Sequence, residues 1–175
     1  MLQLCIKFNL QLLTLKLKKM DKDKSIDILN KLIEINNDRI EGYETASKET
    51  EEYDLKTLFA GFIATSHKCR QELVQQVLNL GGTPEEGTRT TGKFFRVWMD
   101  VKAALTSKDR KTILKSCEYG EDVAVDTYEK ALSDSGDVSS ILYTLIESQY
   151  LLIKNDHNKV KNMLGNNPSY KSSVL

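Results

Sequence analysis

Apolar residues recur at helical spacing through most of the chain. From Ser25 the stripe runs Ile26, Leu29, Leu32, Ile33, Ile40, Tyr43 and Ala46, which predicts one amphipathic helix. The pattern fades through "KETEEYD", where Asp54 is the expected cap of a second helix. That helix carries Leu55, Leu58, Phe59, Phe62, Cys69, Leu73, Val77 and Leu80 until Gly81-Gly82 stops it. "TSKD", Thr106 to Asp109, is a capping box that opens a third helix with Ile113, Cys117, Gly120, Ala124, Tyr128 and Ala131 on its stripe. After Gly136 a fourth stripe runs Ile141, Leu142, Leu145, Gln149, Leu152, Val160 and Met163.

The first nineteen residues break this rhythm. "MLQLCIKFNLQLLTLKLKK" alternates apolar and polar through Leu12, slips by one, and continues through Leu13, Leu15 and Leu17. Period two predicts a strand, yet nothing downstream offers a sheet for it to join. Lys7 interrupts the run that a signal peptide needs, and the stretch is too short and too interrupted to span a bilayer. The expected organisation is therefore an extension outside the fold at 1–19, one helical domain at 20–164, and a flexible tail at 165–175.

The connection between helices two and three decides the topology. "GGTPEEGTRTTG" reads as a loop, and "KFFRVWMDVKAAL" as a short amphipathic helix with Phe94, Trp98, Val101 and Leu105 on one face. A helix of roughly 25 residues is about 38 Å long. The 81–108 connection can travel that whole length, so helices two and three can run the same way. Two antiparallel hairpins joined by one long crossover form an all-α, ferritin-like four-helix bundle. With only two Pro and nine Gly, the chain has few of the breakers a many-turned β fold would use.

"LNKLIEINNDRIEGYETA" (29–46), "GGTPEEGTRTTGKFFRVWMDVKAAL" (81–105) and "CEYGEDVAVDTYEKAL" (117–132) resemble an uncharacterised bacterial family of ferritin-like four-helix-bundle proteins. The resemblance covers roughly residues 25–162. It implies the fold and not ferroxidase activity, because the family is known as a domain of unknown function.

Ferritin-like di-iron sites take a Glu from each of two helices and a Glu-x-x-His from each of the other two. Ala64 stands three residues before His67 and Lys154 three before His157, so neither helix carries that motif. On the expected inward lines the polar residues are Asn36, Ser66, Gln149 and Asp156, which predicts a buried hydrogen-bonded layer. Gly120 is the inward residue of helix three, and the Glu118, Glu121 and Asp122 cluster reads as a solvated face favoured by the helix dipole. His67 and His157 are expected on flanks near the helix surface or an interface. The candidates for a divergent metal site are Glu44, Glu121, Asp156 and His157, with iron as the cofactor of that alternative.

Composition narrows the classes further. Basic and acidic residues number 25 each, which gives no general reason to expect nucleic acid or an anionic membrane as partner. Three Cys without CxxC spacing argue against a disulfide framework or a structural zinc site, and imply a reducing, cytoplasmic compartment. No phosphate loop, dinucleotide fingerprint or GxSxG is present. The sequence thus predicts a non-enzymatic structural or protein-interaction bundle, self-associating and by fold analogy stress-related. The alternative is an iron-binding oxidoreductase with a divergent site in the core.

Overall fold

The computed structural model describes the backbone at residues 2–88, 99, 103, 110–134 and 138–165, with side chains from residue 21 onward. Its helices are α1 (Leu2–Glu49), α2 (Tyr53–Asn79), α3 (Arg110–Ser133) and α4 (Ser140–Gly165). The apolar face expected at Phe94, Trp98, Val101 and Leu105, the Thr106–Asp109 capping box and the tail from residue 166 lie outside the described residues.

The period-two reading of the first residues is corrected, since the backbone is helical from Leu2 and continuous with the rest of α1. No Gly or Pro occurs before Gly42, and Leu, Lys and Gln are good helix formers. An alternating pattern without a sheet to receive it does not override that propensity. The start of α2 also differs from expectation. Its N-cap is Glu52, whose side chain makes no capping bond. Asp54 lies inside the first turn and pairs with Arg110.

Gly81 stops α2 at φ 67°, a left-handed conformation that suits glycine. Gly82 N donates to Val77 O at 2.9 Å, which closes a Schellman-type end. This end abuts α1 near Lys22 and Ile26. The chain then lies along α1, where Asn30 Nδ2 donates to Thr83 O at 3.0 Å and Asn37 Nδ2 to Gly87 O at 2.8 Å. Arg110, which opens α3, pairs with Glu52 and Asp54 beside the start of α2. Helices α2 and α3 therefore run the same way. Helix α1 packs chiefly on α2 and α3 chiefly on α4, giving two antiparallel hairpins.

The core divides into two apolar clusters. One gathers Leu32, Ile35, Leu73, Val77, Ala124, Tyr128, Ile146 and Ile153. The other gathers Tyr43, Phe59, Phe62, Ile113, Cys117, Val160 and Leu164. On α4 the buried line passes through Leu142, Ile146, Gln149, Ile153, Asp156, Val160 and Leu164. Leu145 and Leu152, expected inward, are half-buried, and Ile141 is 74% exposed. This rotation of α4 carries consequences for His157.

A buried ionic centre as the candidate functional site

Between the two apolar clusters each helix contributes a polar residue to one level of the core. The residue at its centre is Arg39, which the sequence reading passed over. It sits on the α1 stripe Leu32, Asn36, Arg39, Tyr43, Ala46, whose alternating four- and three-residue steps keep one face inward. Its side chain is 1% exposed. Nε donates to Glu121 Oε1 and Nη2 to Glu121 Oε2, each at 3.0 Å, a bidentate fork. Nη2 also donates to Asp156 Oδ2 at 3.2 Å, and Nη1 to Ser66 Oγ at 2.6 Å. The guanidinium lies 5.7 Å from the Phe62 ring centroid and 5.9 Å from that of Tyr43, within cation–π range.

The surrounding groups complete the balance. Tyr43 Oη donates to Glu121 Oε1 at 2.7 Å. Lys159, half-exposed, donates to Asp156 Oδ1 at 2.9 Å. Arg39 and Lys159 thus face Glu121 and Asp156, two cations for two carboxylates. Burial pushes the Glu121 carboxyl above its ordinary range, against the pull of Arg39 and Tyr43. Burial opposes the charge of Arg39 too, but Glu121, Tyr43 and Asp156 outweigh it and hold the guanidinium above its ordinary range.

A second polar chain adjoins this centre. Asn36 Nδ2 donates to Tyr128 Oη at 2.8 Å, and Tyr128 Oη donates to Gln149 Oε1 at 3.0 Å. Gln149 Nε2 donates to Cys69 O at 3.1 Å and to Glu72 Oε2 at 2.9 Å. The expected polar layer of Asn36, Ser66, Gln149 and Asp156 is buried as a unit, with Arg39 and Glu121 added to it.

Several expectations are corrected. Glu121 belongs to no solvated face: it is fully buried, while Asp122 beside it is half-exposed. His157 is 3% exposed and not a flank residue, because the α4 seam turns it inward. Its Nε2 lies 2.7 Å from Asp122 Oδ1, and its Nδ1 has no hydrogen-bond partner among the described residues. His67 is exposed as expected, and Glu44 is exposed as well.

With Arg39 in place, the donor set does not fit a core metal. Of the four candidate ligands, only Glu121 and Asp156 converge, and the point on which they converge is filled by a guanidinium. His157 turns to Asp122 and Glu44 to solvent. Among the described residues no three His, Cys, Asp or Glu side chains come together at one point. A metal between the carboxylates would have to share a buried space with a permanent positive charge.

The family model described as Domain of unknown function (DUF2383) matches residues 24–134. A comparison with curated proteins finds no match. Among solved structures, a ferritin-like, diiron-carboxylate protein from Bacillus anthracis str. Ames is similar at TM-score 0.64 and 17% identity, covering 82% of this chain and 97% of that one. The Dps92 of Deinococcus radiodurans is similar at TM-score 0.67 and 12% identity, covering 86% and 91% respectively. At these identities the likeness shows the ferritin-like fold alone.

Proposed function

The chain belongs to the DUF2383 family, and we propose that it is a non-enzymatic ferritin-like bundle that acts as a structural or protein-interaction unit. One observation carries this reading: the converging carboxylates of Glu121 and Asp156 are bound to Arg39 instead of opening onto a metal-sized space. One of the similar structures is a ferritin-like, diiron-carboxylate protein, which makes iron chemistry the competing reading. The experiment is anaerobic reconstitution with Fe(II), then removal of unbound metal and admission of oxygen. The expected result is well under one iron per chain and no ferroxidase burst. Two tightly held irons per chain, lost on Asp156→Ala, would establish the oxidoreductase.

Self-association belongs to the same proposal. Leu78, Ile141 and Leu151 are large apolar side chains left more than half exposed on α2 and α4. Covering them with a second copy would bury apolar surface without disturbing the core. Light scattering should give a mass above the 19.9 kDa monomer, reduced by Ile141→Lys with Leu151→Lys. A reducing, cytoplasmic setting is proposed on the same footing, since Cys69 and Cys117 are buried free thiols. No helix among the described residues is long and apolar enough to cross a membrane.

A further inference from the structure

The partners of Arg39 lie on three different helices. Its guanidinium, borne by α1, meets Ser66 of α2, Glu121 of α3 and Asp156 of α4. A single cation therefore ties α1, α2, α3 and α4 together at one level. We propose that Arg39 is a chain-borne replacement for a core metal ion, seated in a cation slot that accepts a hard divalent cation once the guanidinium is removed.

The charge and the donors support this. Arg39 is the cation that the structure pairs with Glu121 among the described residues, whereas Asp156 keeps Lys159 on its other oxygen. Without Arg39, a fully buried carboxylate faces the emptied volume beside Asp156 Oδ2. Stabilising that charge needs another cation or a proton. The groups left around the volume present only oxygen: the Glu121 carboxylate, Asp156 Oδ2, Ser66 Oγ and Tyr43 Oη. Carboxylate and hydroxyl oxygens without sulfur or imidazole suit Mn(II), Mg(II) or Ca(II) over softer ions. Arg39 thus explains both why the carboxylates are kept in the core and why the native chain leaves a metal no room.

The test uses the full chain carrying Arg39→Ala, titrated with Mn(II). Electron paramagnetic resonance reads the loss of the aqua-ion signal on binding, and thermal melting is followed in parallel. One Mn(II) bound per chain, with a melting temperature raised by several degrees, is the expected result. Both effects should vanish in Arg39→Ala/Glu121→Gln and be absent from the native chain. A folded Arg39→Ala protein that leaves the aqua signal intact overturns the slot. Should the variant fail to fold alone, refolding with Mn(II) decides: recovery of a cooperative melt supports the proposal, and no recovery overturns it. Failure of the metal-free reading would appear as metal in the native protein, whereas failure of this inference appears only in the variant.

Discussion

Replacing Arg39 with Met keeps a long side chain in the core while deleting its charge and donors. Asp156 retains Lys159, so the group left without a cation is Glu121. The variant can relieve that charge by taking up a proton. At pH 7, protonating a carboxyl of ordinary pKa near 4.3 costs about 3.7 kcal/mol, at roughly 1.36 kcal/mol per pH unit. That figure agrees with the ~3–5 kcal/mol typical when one partner of a buried ion pair is removed. At pH 5 the same proton costs only about 1 kcal/mol. The sign follows from linkage. Burial already raises the Glu121 carboxyl in the native chain, and losing Arg39 raises it further. A group raised on folding contributes its stability below its unfolded pKa and loses it as pH rises through its folded value. The deficit of Arg39→Met relative to the native chain should therefore be about 4 kcal/mol at pH 7 and shrink by several-fold at pH 5. Urea unfolding followed by helical circular dichroism at both pH values measures it. A loss below ~1 kcal/mol at pH 7, or one equal at the two pH values, would refute the role given to Arg39.

Other parts of the structure yield further expectations. Tyr128→Phe removes a hydroxyl that both accepts from Asn36 and donates to Gln149, so it should cost about 1–3 kcal/mol in the same unfolding assay; a neutral result would mean the second polar chain is not structural. Burial pushes the Cys69 thiol up to about 11 and the Cys117 thiol higher still. Neither should label with iodoacetamide at pH 8 until the protein is unfolded, and peptide mass mapping of native samples would expose any reaction. Deleting residues 1–19 should leave the melting temperature unchanged, since among the described residues the end of α2 meets α1 at Lys22 and Ile26, both beyond the deleted stretch. A loss of several degrees would show that the segment packs on the bundle.

The bundle was legible because its stripes are long and its breakers few. Every residue on the α3 stripe from Ile113 to Ala131 is buried, as is the apolar line of α2 from Leu55 to Val77 apart from the half-buried Leu58. The ionic centre was harder to see. Arg39 occupies a core register position, four residues before Tyr43 and three after Asn36, but a charged residue there reads as a flank until its partners are known. Glu121 hides for a related reason: Gly120, next to it, satisfies the same stripe while filling no space. Only the neighbouring helices reveal that a carboxylate from α3 and a guanidinium from α1 meet there. His157 departs from its expected flank because α4 sits one step away in register. Leu145 and Leu152 define nearly as good a stripe on α4 as Ile146 and Ile153, and packing chose the second.

The most direct test of the metal-free centre is a crystal grown from the purified protein, soaked anaerobically in Fe(II) and measured at the iron absorption edge. The account predicts Arg39 forked onto Glu121 and within hydrogen-bonding reach of Asp156, with no anomalous peak between the two carboxylates. An iron peak bridging Glu121 and Asp156, with the guanidinium swung out of the core, would contradict it.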